Sequence, residues 1–349
     1  MPEAVLESED VFSEFDFDLK SEDRPATRKQ IKELKMLMYD AAQMLLRQVR
    51  DVTLPDPSKY ITSDKWALVA FLTDDHLGKK CFAPNTNEAV YSFNLLIAKN
   101  RLDYYFDKMI EKYMERPDRY DLIVLNLGGD HIEGDGSIYA SQAFELETGI
   151  NQQMIAFQEI LMKNVKRLSM LIEQNNGHIM IKAVPGNHGE NRKDFMTNPT
   201  SNFDYIMYMQ IEYMLKIQKE SGLMTNVSIE MPNPIMVDRK FVKYNIKGWN
   251  FHLEHIFQNN FITPSGQAKI RNLDEIADGV DVILTGHLHQ EVMATIGKTT
   301  IIRSPALTGY DDYAHTLKAP MSESMHPILV TTPQQKIKEY LPISLGKII

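Results

Sequence analysis

A chain of 349 residues that is 43% hydrophobic and 24% charged has the make-up of a globular protein with room for one large domain. It holds no run of about 18 apolar residues, which argues against a membrane-spanning helix, and its single cysteine, Cys81, excludes an internal disulfide and a thiolate-rich metal centre. The net charge of −9 sits at the front, where residues 1–23 carry nine acids against Lys20; the rest is close to neutral, so charge does not exclude a nucleic-acid substrate.

Residues 1–24 read as an acidic, disordered tail, because Phe12, Phe15, Phe17 and Leu19 offer too little apolar surface to offset the entropy of ordering. The alternating stretch FDFDL could also add to a partner as an extra strand. The opening MPEAVLESED lacks the basic-then-apolar layout of a secretory signal, so a cytoplasmic protein is expected, of a cell or of an infected host cell. Residues 25–60 form a helix and linker: apolar side chains recur at 31, 34, 38, 41 and 45, and Pro55 and Pro57 end the pattern. Residues 1–50 are therefore the expected place for an oligomer contact or a docking partner.

The main domain spans residues 61–349. A strand is expected at 66–74, a helix at 88–114, a strand at 121–130, a helix at 150–174, a strand at 178–187 and a helix at 202–218. A β-rich tract follows over 226–255, then a short helix at 272–278, a strand at 280–286 and a run of short strands. Strands alternating with helices before a β-rich finish indicate an α/β layered fold with partly antiparallel sheets.

Five of the strand-like runs end in metal-capable side chains. Asp74 and His76 close the first, Asp130 and Glu133 the second, Asn187 and His188 the third, His252 and His255 the fourth, His287 and His289 the fifth. Loops beyond the carboxyl ends of parallel strands gather at one edge, where such sheets bind ligands. His287 and His289, one residue apart, share a strand face or its continuation, whereas His252 and His255, three apart, face opposite sides of a strand. Lys79, Lys80 and Arg192 read as solvated loop cations and His131 as an exposed neighbour of Asp130.

The series Asp74-x-His76, Gly129-Asp130, Gly186-Asn187-His188, a strand-end histidine and Gly286-His287-x-His289 resembles the calcineurin-like metallophosphoesterases over residues 65–305. The neighbourhoods GDHIEG and GNHGEN also resemble members of that family found in bacteriophage genomes. The resemblance implies a four-layer αββα sandwich, preceded here by the N-terminal helical extension, with two divalent metal ions between the sheet edges. It implies Asp74, His76 and His289 on the first metal, Asn187, His287 and His255 on the second, and Asp130 bridging them. Ile256 stands where the family usually has glycine after the histidine matched to His255. His188 is implied to act on the leaving-group oxygen or the phosphate, and Glu133 to orient it. Ligands of nitrogen and oxygen alone suit Mn²⁺ first, with Fe, Zn²⁺ and Mg²⁺ also compatible.

The implied activity is hydrolysis of a phosphodiester, as a phosphodiesterase or nuclease, by a hydroxide that the two metals activate. DNA or a nucleotide is the expected substrate, with the inserts 134–149 and 189–204 shaping the pocket. The alternatives are a small-nucleotide phosphatase or cyclic-nucleotide phosphodiesterase, and a non-catalytic scaffold or assembly component. A protein phosphatase fits less well, because the signature GDxxDRG of those enzymes reads GDHIEGD here.

Overall fold

A computed structural model describes residues 64–82, 91–136, 138, 142–191, 199–233, 240–256, 279–309 and 322–349. The acidic tail, the 25–60 helix and linker, Arg192 and the 272–278 helix expected from the sequence lie outside the described residues.

Six strands form the first sheet, in spatial order β13 (Gln335–Ser344), β12 (Met325–Thr332), β1 (Trp66–Leu72), β4 (Tyr120–Leu127), β5 (His178–Ala183) and β6 (Val227–Glu230). Strands β1, β4, β5 and β6 run parallel, and β12 and β13 close the sheet antiparallel. Five strands form the second sheet, in order β10 (Val292–Ile296), β11 (Thr299–Arg303), β9 (Val282–Thr285), β8 (Trp249–Glu254) and β7 (Phe241–Ile246). Its inner strands β8, β9 and β11 are parallel, and β7 and β10 flank them antiparallel. A two-stranded hairpin of β2 (Cys81–Phe82) and β3 (Tyr91–Phe93) stands apart.

The first strand explains why the layers form. In WALVAFL, Leu68, Ala70 and Leu72 face the helices while Ala67, Val69 and Phe71 face the second sheet. A strand buried on both faces reads as a continuous apolar run. Each fully buried Leu or Phe contributes roughly 1.5–3 kcal/mol, so neither face can be exposed cheaply. Helices α1 (Leu95–Glu115), α2 (Ile150–Glu173) and α3 (Phe203–Glu220) cover the outer face through Leu102, Phe106, Phe157, Leu161, Tyr208 and Ile211. Between the sheets pack Val124, Phe251, Leu253, Val282, Leu284 and Ile302. Helices, sheet and sheet are thus three layers of the expected four. On the outer face of the second sheet Val280, Ile283 and Ile301 cluster, and among the described residues no helix covers them. No helix of the described residues is long and apolar enough to cross a membrane.

Three expectations are corrected. The helix expected from residue 88 begins at Leu95, because Asn94 accepts a hydrogen bond from the Ile97 amide (2.9 Å) and caps it, leaving Tyr91–Phe93 to pair with β2. The C-terminal strands are not all short: β12 and β13 have 8 and 10 residues. Finally, β1, β4 and β5 stop two to four residues earlier than expected, at Leu72, Leu127 and Ala183. The polar residues that follow lie in turns beyond the sheet.

Candidate metal centre

Those turns meet at the common carboxyl edge of the two sheets. Asp74 and His76 follow β1, Asp130 follows β4, Asn187 and His188 follow β5, His255 follows β8, and His287 and His289 follow β9. Backbone bonds hold the first two turns together, from the Asp74 amide to Gly129 O and from the His76 amide to Asp130 O, both 3.0 Å. The motif glycines are steric requirements: a Cβ on Gly186 would run into Asp130 Oδ1, and one on Gly286 into Asp74 Oδ2.

Two donor groups result. In the first, Asp74, His76 and His289 offer atoms within 4.8 Å of one another. His76 Nε2 and His289 Nε2 lie 3.1 Å apart, and His289 Nε2 is 3.3 Å from Asp74 Oδ1. In the second, Asp130, His255 and His287 converge equally closely. His255 Nε2 is 2.9 Å from Asp130 Oδ2 and 3.2 Å from Asn187 Oδ1. Asp130 also belongs to a third group, with His76 and His188, and so links the two. All seven sequence-expected ligands are therefore brought to one edge. His252 is turned away from them, paired with Glu254 (3.0 Å) and stacked on Phe241 (4.8 Å).

The donors' surroundings suit cations. Asp130 Oδ2 is buried and makes no hydrogen bond, its His255 neighbour being close but out of line. His76 Nε2 and His289 Nε2 face each other beside the Asp74 carboxylate, a donor set of the kind divalent cations take. His255 Nδ1 meets Gly128 O at 2.7 Å, and His76 Nδ1 lies 2.8 Å from Glu133 Oε2. Each contact turns the other ring nitrogen towards the site, as metal-binding histidines require. Burial pushes His76 down, and it pushes His287 down to about 4 with His255 adding to the effect, which favours at pH 7 the neutral imidazole that can ligate a cation. Burial opposes ionisation of Asp74, yet His255, His289 and His76 hold its carboxyl well below the usual range. His255 is the exception: Asp130 and Asp74 outweigh burial and raise it to about 9, so a cation must displace a proton there.

His188 stands at the rim. Its amide donates to Asp130 Oδ1 (2.7 Å) and its Nδ1 approaches Glu133 O (3.0 Å) and Glu133 Oε2 (3.4 Å). The His188 side chain keeps 12% exposure where Glu133 has none. Burial works against its protonation, but Glu133 and Asp130 prevail and raise it to about 10. Glu133, expected to orient His188, lies nearer to His76 than to His188 and so touches both.

Several neighbours escaped the sequence reading. Gln142 donates to Glu133 O (2.7 Å) and Glu133 Oε1 (3.0 Å), fixing that carboxylate. Asp204 Oδ2 accepts from the amides of Asp130 and Gly186, both 2.9 Å, and so joins the two glycine turns. Asp204 sits in the first turn of α3, where an acid is ordinary helix chemistry; nothing local signals its second use. Lys79, expected in solvent, is buried with Glu145 3.7 Å away. His131, expected exposed, is fully buried against Asp75 (2.5 Å) and Phe157, because the turn after β4 folds inward under α2.

Three of the four layers that the metallophosphoesterase resemblance implies are described, and the residues it names lie together at one edge of them. No family model matches the chain, and no curated protein matches it. Solved structures do match. A novel archaeal phosphodiesterase is 12% identical, with 79% of this chain and 99% of that one covered and a TM-score of 0.36. A conserved uncharacterized protein of Streptococcus pneumoniae, a predicted phosphoesterase, is 12% identical over 81% of this chain and 99% of its own, at 0.32. Vacuolar protein sorting 29 of Cryptosporidium parvum is 13% identical over 80% and 100%, also at 0.32. No substrate or partner is carried over from them.

Proposed function

We propose that this chain is a calcineurin-like metallophosphoesterase that hydrolyses a phosphodiester, with DNA or a nucleotide as the substrate class. The observation that carries this reading is the meeting of two nitrogen-and-oxygen donor groups at one buried carboxylate, Asp130. Asp74, His76 and His289 would hold one divalent cation, and Asn187, His255 and His287 the other, with Asp130 between them. Mn²⁺ is the ion proposed first, and Fe or Zn²⁺ suits the same donors. When bound, such a pair supplies a hydroxide at neutral pH and offsets charge on the phosphoryl oxygens.

The chain's own residues supply the rest. Asp130 sets the spacing of the two positions. His188 would present Nε2 to the leaving-group oxygen, with its Nδ1–H donating to Glu133 O. A protonated imidazole held this way donates a proton to the departing alkoxide, a contribution of about 10²–10⁴ in rate. Cations on Asp130 would cancel part of the field that raises His188, bringing its pKa closer to working pH.

The test is a Mn²⁺-reconstituted assay on bis-p-nitrophenyl phosphate beside p-nitrophenyl phosphate, with Asp130→Asn as control. Diester cleavage that the control abolishes is expected, followed by the same comparison on DNA and cyclic nucleotides. A protein that binds two metals yet cleaves none of these would overturn the hydrolase reading in favour of a scaffold.

A further inference from the structure

Five of the seven proposed ligands have a backbone that L-residues avoid. Asp74, His76, Asp130, His287 and His289 have φ of 55°, 48°, 53°, 74° and 52°. Such a conformation is unfavourable for a non-glycine residue and persists only where the surroundings over-determine it. Contacts from the rest of the chain are what can hold these turns.

Asp75 lies between two of the strained residues and its side chain is wholly buried. Its Oδ2 is 2.5 Å from His131 Nδ1 and its Oδ1 is 2.7 Å from His326 Nε2. His131 directly follows strained Asp130. His326 belongs to β12, and its Nδ1 lies 3.1 Å from the hydroxyl of Ser304, just past β11 in the second sheet. One carboxylate therefore ties the turn after β1 to the turn after β4, to a neighbouring strand and, through His326, to the other sheet. The helices lock both imidazoles: His131 stacks on Phe157 of α2 at 4.3 Å, and His326 meets Tyr105 of α1 edge-on at 5.8 Å. Among the described residues His131 Nε2 has no hydrogen-bond partner, so Asp75 is where that ring spends its polar contact. None of the three is exposed to a substrate. A buried ionic cluster is a weak source of stability against apolar side chains of the same shape, which leaves geometry as its use.

We propose that Asp75, gripped by His131 and His326, is a positioning residue that holds the strained turns carrying Asp74, His76 and Asp130 and so preorganises both cation positions. This rests on the reading that the site takes divalent cations. Asp75 loosened, the turns would relax towards ordinary backbone, and metal binding would have to restore the strain.

The experiment uses the full chain with Asp75→Asn, His326→Gln and the double variant. Three quantities are read: Mn²⁺ affinity by calorimetry, the visible spectrum of bound Co²⁺, and the melting of the metal-free protein. Asp75→Asn is expected to weaken Mn²⁺ binding at least tenfold, within the 10–100-fold usual for residues behind metal ligands, and to alter the Co²⁺ spectrum. His326→Gln should act several-fold in the same direction, with the double variant no worse than Asp75→Asn alone, since both loosen one carboxylate. Lowered melting with unchanged Mn²⁺ affinity and Co²⁺ spectrum in the folded variants would overturn the proposal. Should Asp75→Asn not fold, His326→Gln decides on the same readings. A wild-type chain that binds neither ion would overturn the metal-site reading itself, a failure distinct from unchanged affinity in the variants.

Discussion

His188 and the proposed ligand beside it, Asn187, are neighbours in sequence with different proposed tasks, and a single substitution separates them. Removing the His188 imidazole takes away a group whose Nδ1 leans on Glu133 and leaves Asp74, Asp130 and the other histidines in place. His188→Ala is therefore expected to keep two metals per chain and lose between about tenfold and 10⁴-fold in turnover on a poor leaving group. The loss should shrink on a nitrophenolate, which departs without a proton. Metal analysis beside turnover on both kinds of ester checks this; equal losses on both, or lost metal, would count against the role. Residues like these were legible because their chemistry and their strand-end positions coincide in the sequence. Asp204, Gln142 and His326 were not, since each reaches its partner across a long loop or from another strand, and each looks locally like an ordinary cap, loop or strand residue.

At the scale of elements, the helix starts differ in a way that matters to the site. Asn94 caps α1 with one bond to the Ile97 amide and is half-buried. Asn202 caps α3 through the Asp204 and Tyr205 amides (2.9 and 3.4 Å), is buried, and also donates to Gly186 O at 2.7 Å. Losing a cap costs about 1 kcal/mol, and leaving a buried carbonyl unsatisfied costs roughly 1–3 kcal/mol more. Urea unfolding of the metal-free chain should thus show Asn202→Ala about 2–4 kcal/mol below wild type and Asn94→Ala only about 1 kcal/mol below. Equal losses would mean that the Gly186 contact adds nothing. The helices themselves were readable from periodicity, and their first turns less so: nothing in apolar spacing distinguishes the extended Tyr91–Phe93 from the helix that follows, and only Asn94 marks the change.

For the whole molecule, alternating strands and helices announced an α/β layered chain with partly antiparallel sheets. That the second half builds a separate sheet does not follow from periodicity, because β7–β11 carry the same short apolar pattern as edge strands would; the family resemblance supplied it. The parallel core of the first sheet also carries a group that ties stability to pH far from the metals. His178 opens β5, with Nε2 2.8 Å from Ser228 Oγ on β6. Burial first, then Lys219 and Lys182, depresses it to about 4 from its usual 6.5. In the unfolded chain it takes up a proton as pH falls through 6.5, whereas the folded chain refuses one until about 4. Over that window the unfolded state binds more protons, so stability declines as pH drops, and above 6.5 the two states are equal in this respect. The full shift corresponds to about 3 kcal/mol, and partial exposure with its solvent screening reduces this to roughly 1–2 kcal/mol. His178→Gln keeps a polar partner for Ser228 and removes the titration. Chelated wild type and variant are expected to unfold with a constant difference above pH 6.5 and to diverge in the variant's favour between 6.5 and 4. Parallel curves across that range would mean that His178 is protonated in the fold at no cost, and the role of burial and the two lysines in excluding the proton would be lost.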